Sequence, residues 1–375
     1  MLILLFLVTL SVAKNCEYYH YGGLISDIKN NYQIADCYNA SLKCFDSGVQ
    51  FYCIAENIIL HNDDLYLNCT NSINWKNTYK NFNLHAYGAQ KWLHDKLQLK
   101  SIDISPRYID HDVYFVNNIY HTPNPWHAFE DITHLFEMIE SYNIGSNLEI
   151  VFTKYQHDRS NKMYSAHYDF KTNPLELYLK PYSSIWKTFA PVHRIKKIDD
   201  FLSKDEYIQI KRAIFNVHGS SSMFDDNFFK VSSCKNSTFI NRLINNLNLT
   251  YNENRTIYVT RGSLSMNRRS GILNEDEILS KLIDLNIQIV DMALLSDDDQ
   301  MKLASETTTI IGIHGAALAW SFFMREGSKI IEIRPKSTLN NCKCFENIAI
   351  WRNHQYIKIY NESDYIDIDN LLKFI

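Results

Sequence analysis

The sequence predicts an α/β protein made of two Rossmann-like lobes and a disulfide-bearing region at its N-terminus. From residue 251 onwards, short apolar and β-branched runs alternate with segments of helical periodicity. A looser version of the same alternation runs from 106 to 250. In addition, a turn of small residues at 315–317 follows an apolar strand, and this strand, the turn and the next strand together have about the usual length of a βαβ unit. Such alternation is typical of parallel sheets covered by helices.

The C-terminal lobe carries the clearest pattern. Strands are predicted at 256–261, 287–291, 310–313, 329–333 and 356–360. Helices are predicted after Asn274 and after Ser296, because each is a good N-cap followed by an acidic first turn. A further helix is predicted after Gly315, where several strong helix formers follow one another.

The turn at Gly315, Ala316 and Ala317 is the first candidate ligand site. Small side chains let a ligand approach the backbone, and the free N–H groups and dipole of a helix N-terminus favour a phosphate. The alternative is a packing turn between strand and helix. His314, just before the turn, either contacts the ligand or packs beneath it.

Two charged residues stand at the ends of predicted strands. Arg261 lies beside the Gly315 turn if their strands share a sheet, and its guanidinium can then grip a diphosphate with two hydrogen bonds. A surface ion pair is the alternative. Glu332 is interpreted either as an acceptor for ribose hydroxyls or as a partner of Arg334.

The middle lobe contains one well-marked helix. Asn124 is a good N-cap, and Pro125 suits the first helical position. His127 and Asp131 are four residues apart and share a helix face, where a carboxylate can orient an imidazole that acts as a general base. A solvated surface pair is the alternative. His134, one turn further on, is expected to be peripheral to the chemistry. Strands are predicted at 113–116, 148–152 and 192–198.

Residues 1–13 form an apolar run ending in small residues, as in a secretory signal peptide. It is too short to span a bilayer, and no later stretch is long and apolar enough to do so. The remaining boundaries are predicted at 14–105 for the cysteine-bearing region, 106–250 for the middle lobe and 251–375 for the last lobe. Six sequons support export, and their asparagines are Asn39, Asn68, Asn236, Asn248, Asn254 and Asn361.

All eight cysteines follow the apolar run. An even number in an exported chain predicts disulfides rather than zinc ligands, and 44–53 looks like two paired strands closed by a disulfide. The net charge of -4 gives no reason to expect nucleic acid or an anionic membrane as a partner. The mature protein is therefore expected to be soluble, and lumenal or secreted.

Several motifs together resemble glycosyltransferase family sixty-one. The first is Gly312-Ile-His-Gly-Ala-Ala-Leu318, followed by a hydrophobic helix and Ile331-Glu-Ile-Arg-Pro335. The second is Ile257-Tyr-Val-Thr-Arg261, followed by Arg268-Arg269 and a Leu273-Asn-Glu275 helix start. The third is Asn124-Pro-Trp-His127-Ala-Phe-Glu-Asp131.

This resemblance implies an inverting, metal-independent enzyme of GT-B architecture, with a cleft between two Rossmann-like lobes. It implies transfer of N-acetylglucosamine from UDP-N-acetylglucosamine to Ser or Thr of secreted or membrane proteins, EGF repeats among them. The compartment would be the lumen of the endoplasmic reticulum or Golgi, and no cofactor is expected. His127 or Asp131 would be the base, and Asn124 would help to position the acceptor. The residues assigned to the donor are Arg261, Arg268, Arg269, His314, Gly315, Ala316, Ala317 and Glu332.

Other functions stay open at this point. Two are branches of the same family, the protein O-mannose N-acetylglucosaminyltransferases and the N-glycan core β1,2-xylosyltransferases, which use UDP-xylose. A metal-dependent GT-A enzyme would use an Asp-x-Asp motif that follows a strand. Three stretches fit the pattern, but Asp110-His-Asp112 is expected to precede a strand, Asp297-Asp-Asp299 to cap a helix, and Asp367-Ile-Asp369 to lie near the C-terminus. A non-enzymatic alternative is a secreted glycan-binding protein on a transferase scaffold.

Overall fold

The computed structural model of the protein divides into two compact units. The nine-stranded unit lies within 30–116 and 127–216, and the five-stranded unit lies within 238–375 together with 125–126. The residues that the structure describes are 30–37, 39–46, 51–62, 64–69, 93, 96–116, 125–153, 183–203, 205–216, 238–260, 272–336, 343–361 and 363–375.

The nine-stranded unit is a mixed sheet. Its strands are β1 (Asn30–Cys37), β2 (Ala40–Asp46), β3 (Phe51–His61), β4 (Asp64–Leu67), β5 (Leu97–Leu99), β6 (Arg107–Val116), β7 (Glu149–Phe152), β8 (Ile195–Lys197) and β9 (Tyr207–Asn216). β1, β2 and β3 pair antiparallel, and β3 pairs antiparallel with β9. From β9 the sheet continues in parallel through β6, β7 and β8. Strands from the predicted regions 14–105 and 106–250 therefore belong to one sheet.

The helix predicted after Asn124 is present. Helix α1 spans Pro125–Tyr142 and begins at the proline, where a missing N–H costs no helical hydrogen bond. Phe129, Ile132 and Phe136 are each at most 2% exposed, so the helix buries its apolar side. The unit also contains α2 (Ser183–Phe189) and α3 (Ile198–Phe201).

The strand predicted at 192–198 is wrong in its first half. Val192–Arg194 forms a 3₁₀ helix, and the strand β8 is confined to Ile195–Lys197. The Arg194 N–H donates to the carbonyl of Pro191 at 2.8 Å, which closes this turn. A proline with its fixed φ favours a helical start over an extended one.

The described cysteines form disulfides, as predicted, and the pairing predicted within 44–53 is confirmed. Cys44 and Cys53 lie opposite each other on β2 and β3 and are joined by a disulfide. A second disulfide joins Cys37 to Cys69 across a Cα–Cα distance of 5.2 Å. Cys344, in the five-stranded unit, is also disulfide-bonded, so all five described cysteines are oxidised.

The five-stranded unit is a parallel α/β sheet. Its strands are β10 (Arg255–Thr260), β11 (Gln288–Asp291), β12 (Thr307–Ile313), β13 (Lys329–Arg334) and β14 (Gln355–Tyr360). Every neighbouring pair is parallel, and the order across the sheet is β11-β10-β12-β13-β14. The five predicted strands are thus confirmed, and their order is that of a doubly wound sheet.

Helices of this unit are α4 (Thr238–Asn246), α5 (Glu275–Asp284), α6 (Asp297–Ser305), α7 (Cys344–Trp351) and α8 (Ile368–Leu372). Ser296 caps α6 as predicted, because its hydroxyl accepts a hydrogen bond from the Asp299 N–H at 3.2 Å. Asn274 precedes α5, but its side chain bonds to the backbone N–H and C=O of Ile366, both at 2.9 Å, instead of capping the helix. Among the described residues, no helix combines the length and apolar character needed to cross a bilayer.

The segment after Gly315 is a 3₁₀ helix, Ala316–Phe323, where an α-helix was predicted. Its residues from Leu318 onward are buried. A Cβ added at Gly312 on β12 would come within 3.2 Å of a Leu318 methyl group, so the helix packs closely against the strand. The helix propensity of alanine therefore does not by itself decide the backbone form of this closely packed segment.

Candidate active site

The centre of the five-stranded sheet contains a topological switch point. β10 and β12 are neighbours, while β11, which lies between them in sequence, is at the sheet edge. At such a point the connections diverge to opposite faces and leave a crevice beyond the carboxyl ends of the strands, where ligands of doubly wound sheets bind. Thr260 ends β10 at this point, and His314 follows the end of β12.

A buried carboxylate lies beside the switch point. Glu332 on β13 is fully buried, and its backbone lies opposite Gly312 of β12 in the parallel register. Its Oε1 accepts a hydrogen bond from Arg334 Nε at 2.7 Å and another from His314 Nδ1. Its Oε2 accepts one from the hydroxyl of Tyr356 on β14. Both carboxylate oxygens are therefore occupied by protein donors.

These contacts keep Glu332 ionised. Burial alone would raise the pKa of Glu332, but hydrogen bonds from His314 and Tyr356 and the nearby cationic groups lower it below its ordinary value. Burial and the Glu332 charge raise the pKa of Tyr356, so its hydroxyl stays protonated and donates. The structure thus supports the interpretation of Glu332 as a partner of Arg334, since no oxygen of this carboxylate faces solvent to accept from a ribose.

His314 is held through both its backbone and its ring. Its N–H donates to the carbonyl of Ile333 at 2.9 Å, which ties the end of β12 to β13. The ring of Phe345 on α7 packs against the imidazole with a centroid distance of 5.4 Å. Because Nδ1 meets a carboxylate oxygen, Nδ1 carries a proton.

The predicted phosphate turn follows directly. Gly315, Ala316 and Ala317 are half-buried and form the start of the 3₁₀ helix. The first N–H groups of any helix have no partners within the helix, so a helix start at the carboxyl edge of the sheet suits an anion.

Glu275 is a candidate site residue that the sequence placed only at a helix start. It is the first residue of α5, and its Oε1 accepts hydrogen bonds from Thr260 Oγ1 at 3.2 Å and from the hydroxyl of Tyr258 at 3.3 Å. Glu275 therefore lies at the carboxyl end of β10, beside the switch point. The acidic run after Asn274 predicted the helix start, but no local signal placed this carboxylate at the ligand edge.

The predicted catalytic helix belongs mostly to the nine-stranded unit. Asp131 on α1 is only 4% exposed. The alternative of a solvated surface pair requires an exposed carboxylate, so the structure does not support it. His127 lies on the same helix, although its side chain is outside the described part of the chain.

His134 lies in the core, between α1 and the nine-stranded sheet. Its Nδ1 hydrogen-bonds the hydroxyl of Tyr114 on β6 at 2.7 Å, and the ring of Tyr52 on β3 lies against it at 6.1 Å between centroids. Burial lowers the pKa of His134 to about 3. This histidine is therefore neutral in the folded protein and ties α1 to the sheet.

We expect His134 to make folding sensitive to mild acid. In the unfolded chain His134 takes up a proton near pH 6.5, whereas in the folded protein the same imidazole stays neutral down to about pH 3. The free energy of unfolding therefore decreases as the pH falls below 6.5. Between pH 6.5 and 5.5 the loss is about 1 kcal/mol for this residue. Urea unfolding of His134→Gln should show a shallower pH dependence than wild type, and equal pH dependence in the two proteins would contradict the assignment.

Four predicted donor or acceptor residues lie outside the described part of the chain. They are Asn124, Arg261, Arg268 and Arg269. Of the sequon asparagines, Asn236 is likewise outside it, Asn361 is half-buried, and the exposed ones are Asn39, Asn68, Asn248 and Asn254.

The sheet order and its switch point define the five-stranded unit as a doubly wound α/β fold, the class that binds ligands at the carboxyl edge. The family model described as Glycosyltransferase 61 matches residues 126–331, more than half of the 375-residue chain. The chain belongs to this glycosyltransferase family, as its motifs predicted.

One curated relative is the Protein O-linked-mannose beta-1,4-N-acetylglucosaminyltransferase 2 of Xenopus laevis. It is 32% identical over 101 residues, which are 26% of this chain. The match spans only 17% of the length of that relative.

Proposed function

We propose that the protein is an inverting transferase of the secretory pathway that moves N-acetylglucosamine from UDP-N-acetylglucosamine to a protein acceptor. The observation that carries this proposal is the fixed His314 beside the Gly315 turn, at the switch point of a doubly wound sheet. Family membership supports the transfer of a sugar. The relative's name mentions N-acetylglucosamine, which favours this sugar over xylose.

The proposed donor site is the carboxyl edge of the five-stranded sheet. Here the UDP diphosphate would meet His314, the helix start at Gly315 and the guanidinium of Arg261, which follows β10 directly. Arg268 or Arg269 would supply a second cation. In this proposal these groups do the work that a divalent metal does in other transferases. The nine-stranded unit would bind the acceptor, as the two lobes of a GT-B enzyme divide the task.

The proposed chemistry is a single displacement. The acceptor oxygen attacks the anomeric carbon while His127 or Asp131 takes the hydroxyl proton. The bond from that carbon to the β-phosphate oxygen breaks, and UDP leaves with the bonding electron pair. Stabilising groups at the donor edge matter most at this moment, because negative charge builds on the diphosphate.

Two acceptors agree with the motifs and with the relative. The sequence motifs are most similar to the branch of the family that modifies Ser or Thr of EGF repeats, whereas the curated relative is named for O-linked mannose. Both acceptors present a hydroxyl on a secreted or membrane protein, and both branches use the same donor. The disulfides of the nine-stranded unit fit the oxidising lumen in which such acceptors are made.

The test is a panel of UDP-sugars against folded EGF repeats, an O-mannosyl peptide and an N-glycan, with EDTA present throughout. We expect transfer of N-acetylglucosamine to one of the first two acceptors. Transfer of xylose to the N-glycan would replace this proposal with the xylosyltransferase alternative. A strict requirement for Mn²⁺ would contradict the metal-independent donor site, and binding of glycan without any transfer would favour the non-enzymatic alternative.

Arg261→Ala tests the donor edge. We expect a loss of roughly 10²–10³-fold in kcat, with a smaller loss of UDP affinity, because the charge is needed most as the diphosphate departs. Lysine should restore only part of the activity, since it lacks the two-pronged geometry.

Arg255 provides the matched control, because it begins the same strand β10 at the opposite edge and pairs with Glu306 at 3.1 Å. Arg255→Ala should leave kcat and UDP affinity unchanged. Equal kinetics of Arg261→Ala and wild type would assign Arg261 to a surface ion pair instead.

A further inference from the structure

Glu332, Arg334, Tyr356 and His314 form a closed polar cluster inside the five-stranded unit. Arg334 is 1% exposed and its charge compensates that of Glu332. Arg334 and His314 both donate to Oε1 of Glu332, and the Tyr356 hydroxyl donates to Oε2. Both carboxylate oxygens are therefore hydrogen-bonded. Such a carboxylate cannot rotate without losing a hydrogen bond in a buried place.

His314 is the member of the cluster that adjoins the predicted phosphate turn, and Tyr356 on β14 is half-buried as well. The side chain of His314 is 14% exposed, whereas those of Glu332 and Arg334 are at most 1% exposed. His314 also directly precedes Gly315, the start of the 3₁₀ helix. The cluster therefore ends at the edge where a ligand of this fold binds.

We infer that Tyr356 and Glu332 are positioning residues, which hold His314 with Nδ1 protonated so that its Nε2 meets the β-phosphate of the UDP leaving group. This inference rests on the proposed function and assigns the roles within its donor site. Glu332 accepts the hydrogen bond from Nδ1, so an Nε2–H on the other side of the ring would donate to a phosphate oxygen of the bound UDP. As the glycosidic bond breaks, this hydrogen bond strengthens with the charge on the diphosphate.

The parallel register explains why Tyr356 is the residue that can do this. Glu332 lies opposite Lys358 on β14, and Tyr356 is two residues earlier on the same strand. Residues two apart on a strand point to the same face of the sheet. The Tyr356 side chain therefore lies on the same face as those of Lys358 and its neighbour Glu332 on β13. Tyr360, two residues after Lys358, is on this face too, but it is 57% exposed and lies opposite Arg334 in the register.

Tyr356→Phe removes a single oxygen and keeps the ring, so it is the sharpest variant. We expect about a 10- to 100-fold loss of kcat/KM, because a hydrogen bond to a charged group is lost and the imidazole is no longer fixed. UDP affinity, measured by calorimetry, should fall as well. Tyr360→Phe is the matched control on the same strand and should behave like wild type.

A double-variant cycle separates positioning from a merely structural role. If Tyr356 acts through His314, Tyr356→Phe should have no further effect on UDP affinity in a His314→Ala protein. Equal effects of Tyr356→Phe with and without His314 would overturn the inference while leaving the proposed function intact. Failure of the wild-type protein to bind UDP at all would overturn both.

A second measurement observes the wild-type protein directly. In protein labelled with ¹⁵N-histidine, the imidazole of His314 should show a protonated Nδ1 in the free protein, and its Nε2 signal should move when UDP is added. The His314→Ala spectrum identifies the signal by its absence. A bare Nδ1, or an Nε2 signal that UDP leaves in place, would contradict the inference.

Discussion

Asp131→Asn is expected to lower kcat by about 10²–10⁴-fold and to leave the affinity for UDP close to that of wild type. The loss is that of a positioned general base, or of the carboxylate that orients one. UDP affinity should not change, because Asp131 belongs to the nine-stranded unit and the proposed nucleotide edge belongs to the other unit. Asparagine keeps the shape of this buried side chain, removes its charge and replaces one acceptor oxygen with an NH₂ group.

Glu140→Gln is the matched control, because it removes a carboxylate from the same helix α1 at a half-buried position. It should keep wild-type turnover. His127→Ala should match Asp131→Asn if the two act together, and the pH–rate profile of each variant shows which one loses the acidic limb. Near wild-type turnover in both would place the base elsewhere and leave α1 as scaffold.

Arg334→Met is expected to destabilise the five-stranded unit by about 3–5 kcal/mol. Arg334 and Glu332 form a buried ion pair at 2.7 Å, and removal of one partner leaves an uncompensated charge away from water. Methionine replaces much of the side-chain volume, so little of the loss comes from a cavity. Urea unfolding followed by the fluorescence of Trp320 and Trp351, both buried in this unit, measures the effect.

The double variant Glu332→Leu with Arg334→Met provides the contrast. Removing both charges should restore part of the stability, because an apolar pair in place of a buried ion pair is often neutral. The rest stays lost, since His314 and Tyr356 lose their acceptor. The lowered pKa of Glu332 adds a pH signature, since its contribution is complete above the ordinary carboxyl value of 4.5 and is lost as the pH falls through the lowered value. A cost below about 1 kcal/mol for Arg334→Met would place the pair among weak surface contacts.

The parallel sheet was predictable because each of its strands is a local apolar run flanked by helix signals. The Cys44–Cys53 disulfide was predictable because it joins two strands that are consecutive in the sequence. By contrast, the pairing of β3 with β9 joins residues about 150 positions apart, such as Ile59 with Gln209. No local pattern carries that information, so the N-terminal strands were not assigned to the larger sheet.

The candidate site shows the same division. His314 and Glu332 were marked because both lie at the ends of predicted strands. Tyr356 was assigned to a strand but not to the site, since its contact with Glu332 depends on the register between β13 and β14. The position of the Glu275 carboxylate depends on how α5 packs against β10, and hydrophobic periodicity does not specify that packing.

The exposed Asn254 lies immediately before β10 and hence at the amino edge of the five-stranded sheet. The six residues of β10 separate it from the carboxyl edge by roughly 20 Å. A carbohydrate chain at this asparagine would extend from the side opposite the proposed donor crevice. Glycoforms of the protein that differ at Asn254 should therefore share one donor affinity, and a preparation that is heterogeneous in mass can still be homogeneous in its kinetics.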